Sequence, residues 1–185
     1  MTEQQVYEVV RTEPAFELRH YPQHVVAEME VDSTFESAGS SAFRPLVGYI
    51  GGGNETGTGM SMTAPVIQRQ DETTALDQPM TTTDISPGRY VVSFVLPADT
   101  DASTVPAPKD ERVRVRVVEE EYAAAVRFSG RWTTASYAQR VDSLRAAIAE
   151  AGLEPTGPVR FARFDPPWTP WFLRRNEVVI PVRQP

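Results

Sequence analysis

Twice along this chain, segments that alternate every second residue give way to one helical stretch and then resume, an order that few architectures accept. The opening segments "VYEVV", "FELRHY" and "HVVAEMEV" read as extended structure. In the last of them Val25, Ala27, Met29 and Val31 alternate with Val26, Glu28, Glu30 and Asp32, which predicts a strand with one buried face. Pro22 marks a turn or an edge before it. The period then changes in "DSTFESAGSSAFRPL", where Phe35, Ala38, Ala42, Phe43 and Leu46 recur at helical spacing. Ser33 and Glu36 predict a capping box, and Pro45 predicts that the helix ends near Arg44. Gly39, Ser40 and Ser41 lower helix propensity and allow a close approach to the backbone.

After the glycine-rich loop "GYIGGGNETGTG", extended structure returns in "MSMTAPVIQRQ" and, beyond a Thr- and Asp-rich connection, in "RYVVSFVLP". A proline-rich connector, "ASTVPAPKD", leads into the second cycle. There "RVRVRVVEEE" and "YAAAVRFSG" read as strands and "TTASYAQRVDSLRAAIAEAGL" as a helix. Thr133 or Thr134 would cap that helix, Tyr137, Val141, Leu144 and Ile148 would form its buried stripe, and Gly152 would stop it. Strands "VRFARF" and "NEVVIPV" flank the loop "DPPWTPWFLRR". The expected fold is α+β: a twisted, largely antiparallel β-barrel of two pseudo-repeated halves, about 7–98 and 111–183, flanked by two helices in one domain, 1–185.

The chain has no cysteine among its 185 residues, which excludes disulfides, Cys-ligated zinc, iron–sulfur clusters and Cys nucleophiles. A net charge of −7 argues against nucleic acid and anionic membrane as partners. No apolar run is long enough to span a membrane, and "MTEQQVYEVV" lacks the pattern of a signal peptide, so a soluble cytoplasmic protein is expected. No nucleophile elbow, H-E-x-x-H or phosphate loop is present.

Met60 and Met62 would share one face of a strand, where a thioether pair could meet a soft metal or fill the core; with no His or Cys beside them, core filling is favoured. His20 and His24 are the only histidines, too few for a zinc site but sufficient for an axial ligand. In "PPWTPWFLRRNE", Trp168, Trp171 and Phe172 are stiffened by prolines and followed by Arg174 and Arg175. Such a loop either closes one end of the fold or forms a rigid apolar wall beside cations, suited to a flat ligand bearing carboxylates.

The segments "ELRHYP…VVAE", "AFRPLVGYIGGGN", "MSMTAPV", "YVVSFVLP", "VRFSGRW", "AGLEPTGP" and "DPPWTPWFLRRNEVVIPV" resemble, in order from Tyr7 to Val182, the SOUL haem-binding family. The resemblance implies a soluble binding protein for haem or another porphyrin, serving haem buffering or transport, with low affinity and with or without a protein axial ligand. It implies apolar contacts from Phe35, Phe43 and Leu46 on the first helix and from Trp168, Trp171 and Phe172, with propionates at Arg44, Arg174 or Arg175. The "RHY" segment would make His20 the iron ligand. Two alternatives remain: an enzyme that opens or demetallates tetrapyrroles, with His20, His24, Tyr49 or Asp165 as proton donor, and a module for small apolar ligands without haem. Oligomeric state is not legible.

Overall fold

The computed structural model describes residues 3–70 and 88–184; the Thr- and Asp-rich connection lies outside them. Strands β1 (Glu3–Gln4), β2 (Glu8–Thr12), β3 (Glu17–Tyr21) and β4 (His24–Ser33) lead into helix α1 (Phe35–Ile50). Strands β5 (Thr63–Ala64), β6 (Val66–Gln70), β7 (Gly88–Val95), β8 (Arg114–Val118) and β9 (Glu121–Phe128) follow. Helix α2 (Thr134–Glu150) and strands β10 (Arg160–Arg163) and β11 (Asn176–Val182) complete the order.

Nine strands form one sheet in the order β2-β3-β9-β11-β10-β6-β7-β4-β8, every neighbouring pair antiparallel. The α+β expectation holds. The barrel does not: among the described residues the ladder ends at β2 and β8 and no hydrogen bonds join those edges. The sheet is nonetheless strongly curled. Pro22 and Gln23 alone carry the chain from β3 to β4, six places away in the ladder. Three peptide units reach about 11 Å, whereas six spacings of a flat sheet would need about 29 Å. Glu119 and Glu120 make the same jump from β8 to β9, so the curl is imposed twice.

Both helices pack on the outer face of this curl. α1 lies on β4, β7 and β6, and α2 on β9 and β11. Alternation along the strands supplies the core between them: Val25, Ala27 and Met29 from β4, Val92 and Phe94 from β7, Phe161 from β10, Val178 and Ile180 from β11. The helices contribute Phe35, Ala38, Leu46, Tyr137, Val141, Leu144 and Ile148. Side chains of opposite parity line the inner face, with apolar groups at Tyr21, Ala123, Ala125 and Val179 and at Val26, Ile67 and Val95.

Two local expectations are corrected. α1 runs through Pro45 to Ile50. A proline inside a helix costs about 3 kcal/mol, but the residues beyond it include Leu46, Tyr49 and Ile50, all buried. At about 1.5–3 kcal/mol for each large side chain, their burial outweighs the break. No capping box forms: Ser33 ends β4, Thr34 is the N-cap without a side-chain bond, and the Glu36 carboxylate instead accepts from the backbone N–H and hydroxyl of Thr134 at the start of α2. α2 is as expected, with Thr133 accepting from the Ser136 N–H and Gly152 at φ +70° just past its end. Met60 and Met62 precede β5 instead of lying on it; Met60 packs against the core and Met62 is 38% exposed.

Candidate functional site

The connection between β10 and β11 is tied down along its length. Asp165 accepts from the Arg175 N–H at 2.5 Å, and the Arg174 Nε–H donates to the Thr169 carbonyl at 2.8 Å while Nη2 donates to that of Pro167. The Gly130 N–H reaches the Trp171 carbonyl at 3.1 Å, fastening the loop to the end of β9. Residues Trp171–Leu173 form a single 3-10 turn. This fixed loop turns its apolar side chains outward: Trp168 is 83% exposed, Trp171 50%, Phe172 58% and Leu173 65%. Four of the nine large hydrophobic side chains exposed among the described residues therefore sit within six positions.

A stack of rings and cations joins this loop to α1. The guanidinium groups of Arg174 and Arg163 both lie over the Trp132 ring, 4.5 and 4.8 Å from its centroid. Arg163 Nη2 donates to the Phe35 carbonyl at 3.3 Å, and Gln68 Nε2 donates to the same oxygen at 2.9 Å. Gly39 sits directly above: a Cβ there would stand 2.9 Å from Arg163 Nη1 and 3.9 Å from Gln68 Oε1. The small residues of α1 thus admit a guanidinium from the sheet. One register row crosses this region, Phe94 to Val66 to Arg163 to Asn176. Phe43, 45% exposed, rests its ring on Phe94 at 5.9 Å, two strand spacings, about 10 Å, from Arg163.

Three polar atoms of this seam are buried without a hydrogen bond: Arg163 Nε, Gln68 Oε1 and the Tyr137 hydroxyl. No carboxylate among the described residues forms an ion pair with Arg163. Burial pushes its pKa down, while Tyr137 and Glu36 nearby pull the other way. Burial also pushes the Tyr137 phenol up to about 12, so the phenol stays protonated at neutral pH.

The other expected site residues scatter. Phe35 and Leu46 are in the core, at 1% and 0% exposure, and offer no surface. Arg44 is exposed on α1. Arg175 turns inward, its Nε and Nη2 bonded to Glu177 at 3.0 and 2.8 Å and its guanidinium 3.8 Å above the Phe164 ring. His20 lies on β3 beside Tyr122, its Nε2 3.4 Å from the Glu120 carboxylate. Tyr122 pairs with Val182, whereas the tryptophan loop ends at Asn176, six residues or about 20 Å away along β11. Of the suggested proton donors, Tyr49 donates to the Pro106 carbonyl at 2.8 Å and Asp165 is held by Arg175. His24 faces the inner side, with Nδ1 2.9 Å from the Pro22 carbonyl and Nε2 3.1 Å from Gln5. It borders a cleft of about 360 Å³ beneath residues 3–6, which also takes in Thr63 and Leu96 but no part of the tryptophan loop or α1.

Arg163 and Gln68 were missed by the sequence reading, although period-two alternation carries their signal. Arg163 shares a strand face with buried Phe161, and Gln68 shares one with Val66. Among the described residues no group of three or more His, Cys, Asp or Glu could hold a metal ion, and no helix is long and apolar enough to cross a membrane.

The SOUL heme-binding protein family model matches residues 2–181. Heme-binding protein 1 of Mus musculus is 31% identical over 156 residues, 82% of this chain and 76% of that protein. Heme-binding protein 1 of Xenopus tropicalis is 28% identical over 165 residues, 89% and 82% of the two chains. Two solved structures share the fold: the EcmrR C-terminal domain, at a TM-score of 0.63 and 14% identity over 97% of this chain and 99% of that one, and an uncharacterized conserved protein from Listeria innocua, at 0.68 and 12% over 92% and 93%.

Proposed function

This chain belongs to the SOUL heme-binding protein family, and on that premise we propose that it binds haem or a related porphyrin on the surface made by the tryptophan loop and the exposed side of α1, for buffering or transport in the cytoplasm. The observation that carries the reading is the outward-facing group Trp168, Trp171, Phe172 and Leu173 on a loop held by its own hydrogen bonds. Such a surface binds a flat apolar ring without having to be ordered first, which lowers the entropic cost of association. Phe43 and Val47 on α1 extend it. Burying a few hundred Å² of ring, less association costs, corresponds to roughly micromolar affinity.

When bound, haem supplies a redox-active iron; the side chains described here hold and orient the ring. No protein ligand to that iron is assigned at this surface, since its neighbours are Trp, Phe, Leu and Arg. We read the chain as one domain, its halves about 7–98 and 111–183 interleaved through the sheet.

Titration with ferric haem, followed by the Soret band, tests the reading. A Trp171→Ala/Phe172→Ala double variant is expected to bind at least about tenfold more weakly. Absence of any Soret shift at micromolar haem would overturn it. The 360 Å³ cleft favours a second reading, a site for a small apolar molecule: its size is within the range of ligand pockets, and the buried Thr63 hydroxyl beside it has no partner. A small-molecule thermal-shift screen with no haem response would favour that alternative.

A further inference from the structure

We propose that β2 is the interface of a symmetric dimer, in which two copies of this chain pair their β2 strands antiparallel and join two nine-stranded sheets into one.

β2 ends the ladder and is paired on one side only, with β3. All five of its residues are exposed. Val9 and Val10, with Val6 just before the strand, are three of the five large hydrophobic side chains exposed outside the tryptophan loop among the described residues. A free strand edge carrying apolar side chains is a template for another strand. The far end of the ladder differs: β8 presents Arg114 and Arg116, tied to Glu30 and Glu28 at 3.1 Å, and charges of this kind guard an edge.

The residues of the β2 edge select a second copy as its occupant. Glu8-Val9-Val10-Arg11 is its own electrostatic complement when the direction is reversed. An antiparallel copy sets Glu8 beside Arg11 of the other chain, twice by symmetry, with the valines between. A two-fold axis normal to the sheet keeps each residue and its copy on the same face, so this pairing requires Glu8 and Arg11 to share a face. Three positions apart on a regular strand, they would not. The β-bulge supplies the match. Val10 is skipped in the pairing with β3, so that Glu8 stands opposite His20 and Arg11 opposite Leu18, two residues of one face. A bulge can guard an edge by twisting it; here it brings the two charges into register. Glu8 forms no ion pair among the described residues, and Arg11 holds Glu13 in a partly exposed pair worth little, so both are available to a partner. The contact is short, and the dimer is accordingly weak and concentration-dependent.

Sedimentation velocity from micromolar to millimolar protein tests the pairing. Wild type is expected to form a reversible dimer. Glu8→Arg and Arg11→Glu each set like charges against one another at both contacts and should weaken it at least about tenfold. An equimolar mixture of these two variants should associate again, because every contact between positions 8 and 11 then joins opposite charges. The double variant Glu8→Arg/Arg11→Glu should dimerise as wild type does, and Trp171→Ala/Phe172→Ala should leave the dimer unchanged. The substitutions lie at exposed positions, and circular dichroism checks that each variant is folded. Wild type that stays monomeric at millimolar concentration overturns the proposal. So does a dimer that ignores either charge reversal, one that mixing does not restore, or one lost with the tryptophan loop.

Discussion

Arg19 and Glu177 meet on the inner face of the sheet, Nη1 to Oε2 at 2.7 Å, their side chains 3% and 1% exposed. They come from opposite ends of the chain, and Tyr7 covers the pair, with Arg19 4.1 Å from its ring centroid. Removing the acid leaves Arg19 buried with only the partly exposed Glu17 as a carboxylate neighbour, and strips Arg175 of its carboxylate partner as well. Glu177→Gln is therefore expected to lower stability by about 3 kcal/mol, because it breaks a buried pair and keeps the charge. Urea unfolding measures it; a loss below about 1 kcal/mol would show that Glu17 alone balances Arg19.

His24 gives the fold a dependence on pH. Burial, the largest cause, holds its pKa below the ordinary histidine value, while its Nδ1 contact with Pro22 acts in the opposite sense. The unfolded chain thus takes up this proton near pH 6.5 and the folded chain only at lower pH. Stability from this residue is complete above about 6.5 and is lost as pH falls through the folded value. Protonation also removes the Nε2 lone pair, the acceptor for Gln5. The melting temperature should drop between pH 7 and pH 5, and more steeply in wild type than in His24→Leu. Parallel slopes in the two proteins would assign the pH dependence to other groups.

Two glycines of α1 should respond oppositely to alanine. A Cβ at Gly48 meets nothing within 4 Å, so Gly48→Ala should gain about 0.5–1 kcal/mol from helix propensity. At Gly39 the same change sets a methyl 2.9 Å from Arg163 Nη1 and forces the guanidinium aside. Gly39→Ala should show no gain, or a loss, in thermal unfolding. An equal gain at both positions would mean that Arg163 moves freely.

His20 stands about 20 Å from the tryptophan loop along β11. His20→Ala should therefore shift the haem titration midpoint by less than about twofold, as expected for distant independent sites. Loss of the Soret response in that variant would place the iron at the β3 edge.

How much of this was readable beforehand depends on how local each cause is. α2 was legible residue by residue, because Thr133, the stripe from Tyr137 to Ile148 and Gly152 each act within a turn of themselves. α1 was misread at both ends, where distant residues decide. Glu36 has a partner 98 positions away, and Pro45 is overruled by burial of Leu46, Tyr49 and Ile50. The aromatic loop was legible as a proline-stiffened apolar segment, but whether it closes the fold or faces outward was open. Its link to α1 was not legible, because Gly39 gains its meaning only when Arg163, 124 positions later, is folded against it. The barrel was expected because strand number and alternation say nothing about whether the outer edges meet.

The two-residue turns at Pro22–Gln23 and Glu119–Glu120 have a consequence for how the chain becomes a protein. Each carries a strand out of its own half and into the other's sheet, so β3 pairs with β9 and β8 pairs with β4. Neither half can finish its sheet from its own sequence, and much of the pairing waits for contacts distant along the chain, a topology that folds slowly. Fragments 3–98 and 111–184 would each leave three strands short of a neighbour, β3, β4 and β6 in one and β8, β9 and β10 in the other, and mixing them would restore all three pairings. Folding is in that sense an exchange: what each half completes is its partner.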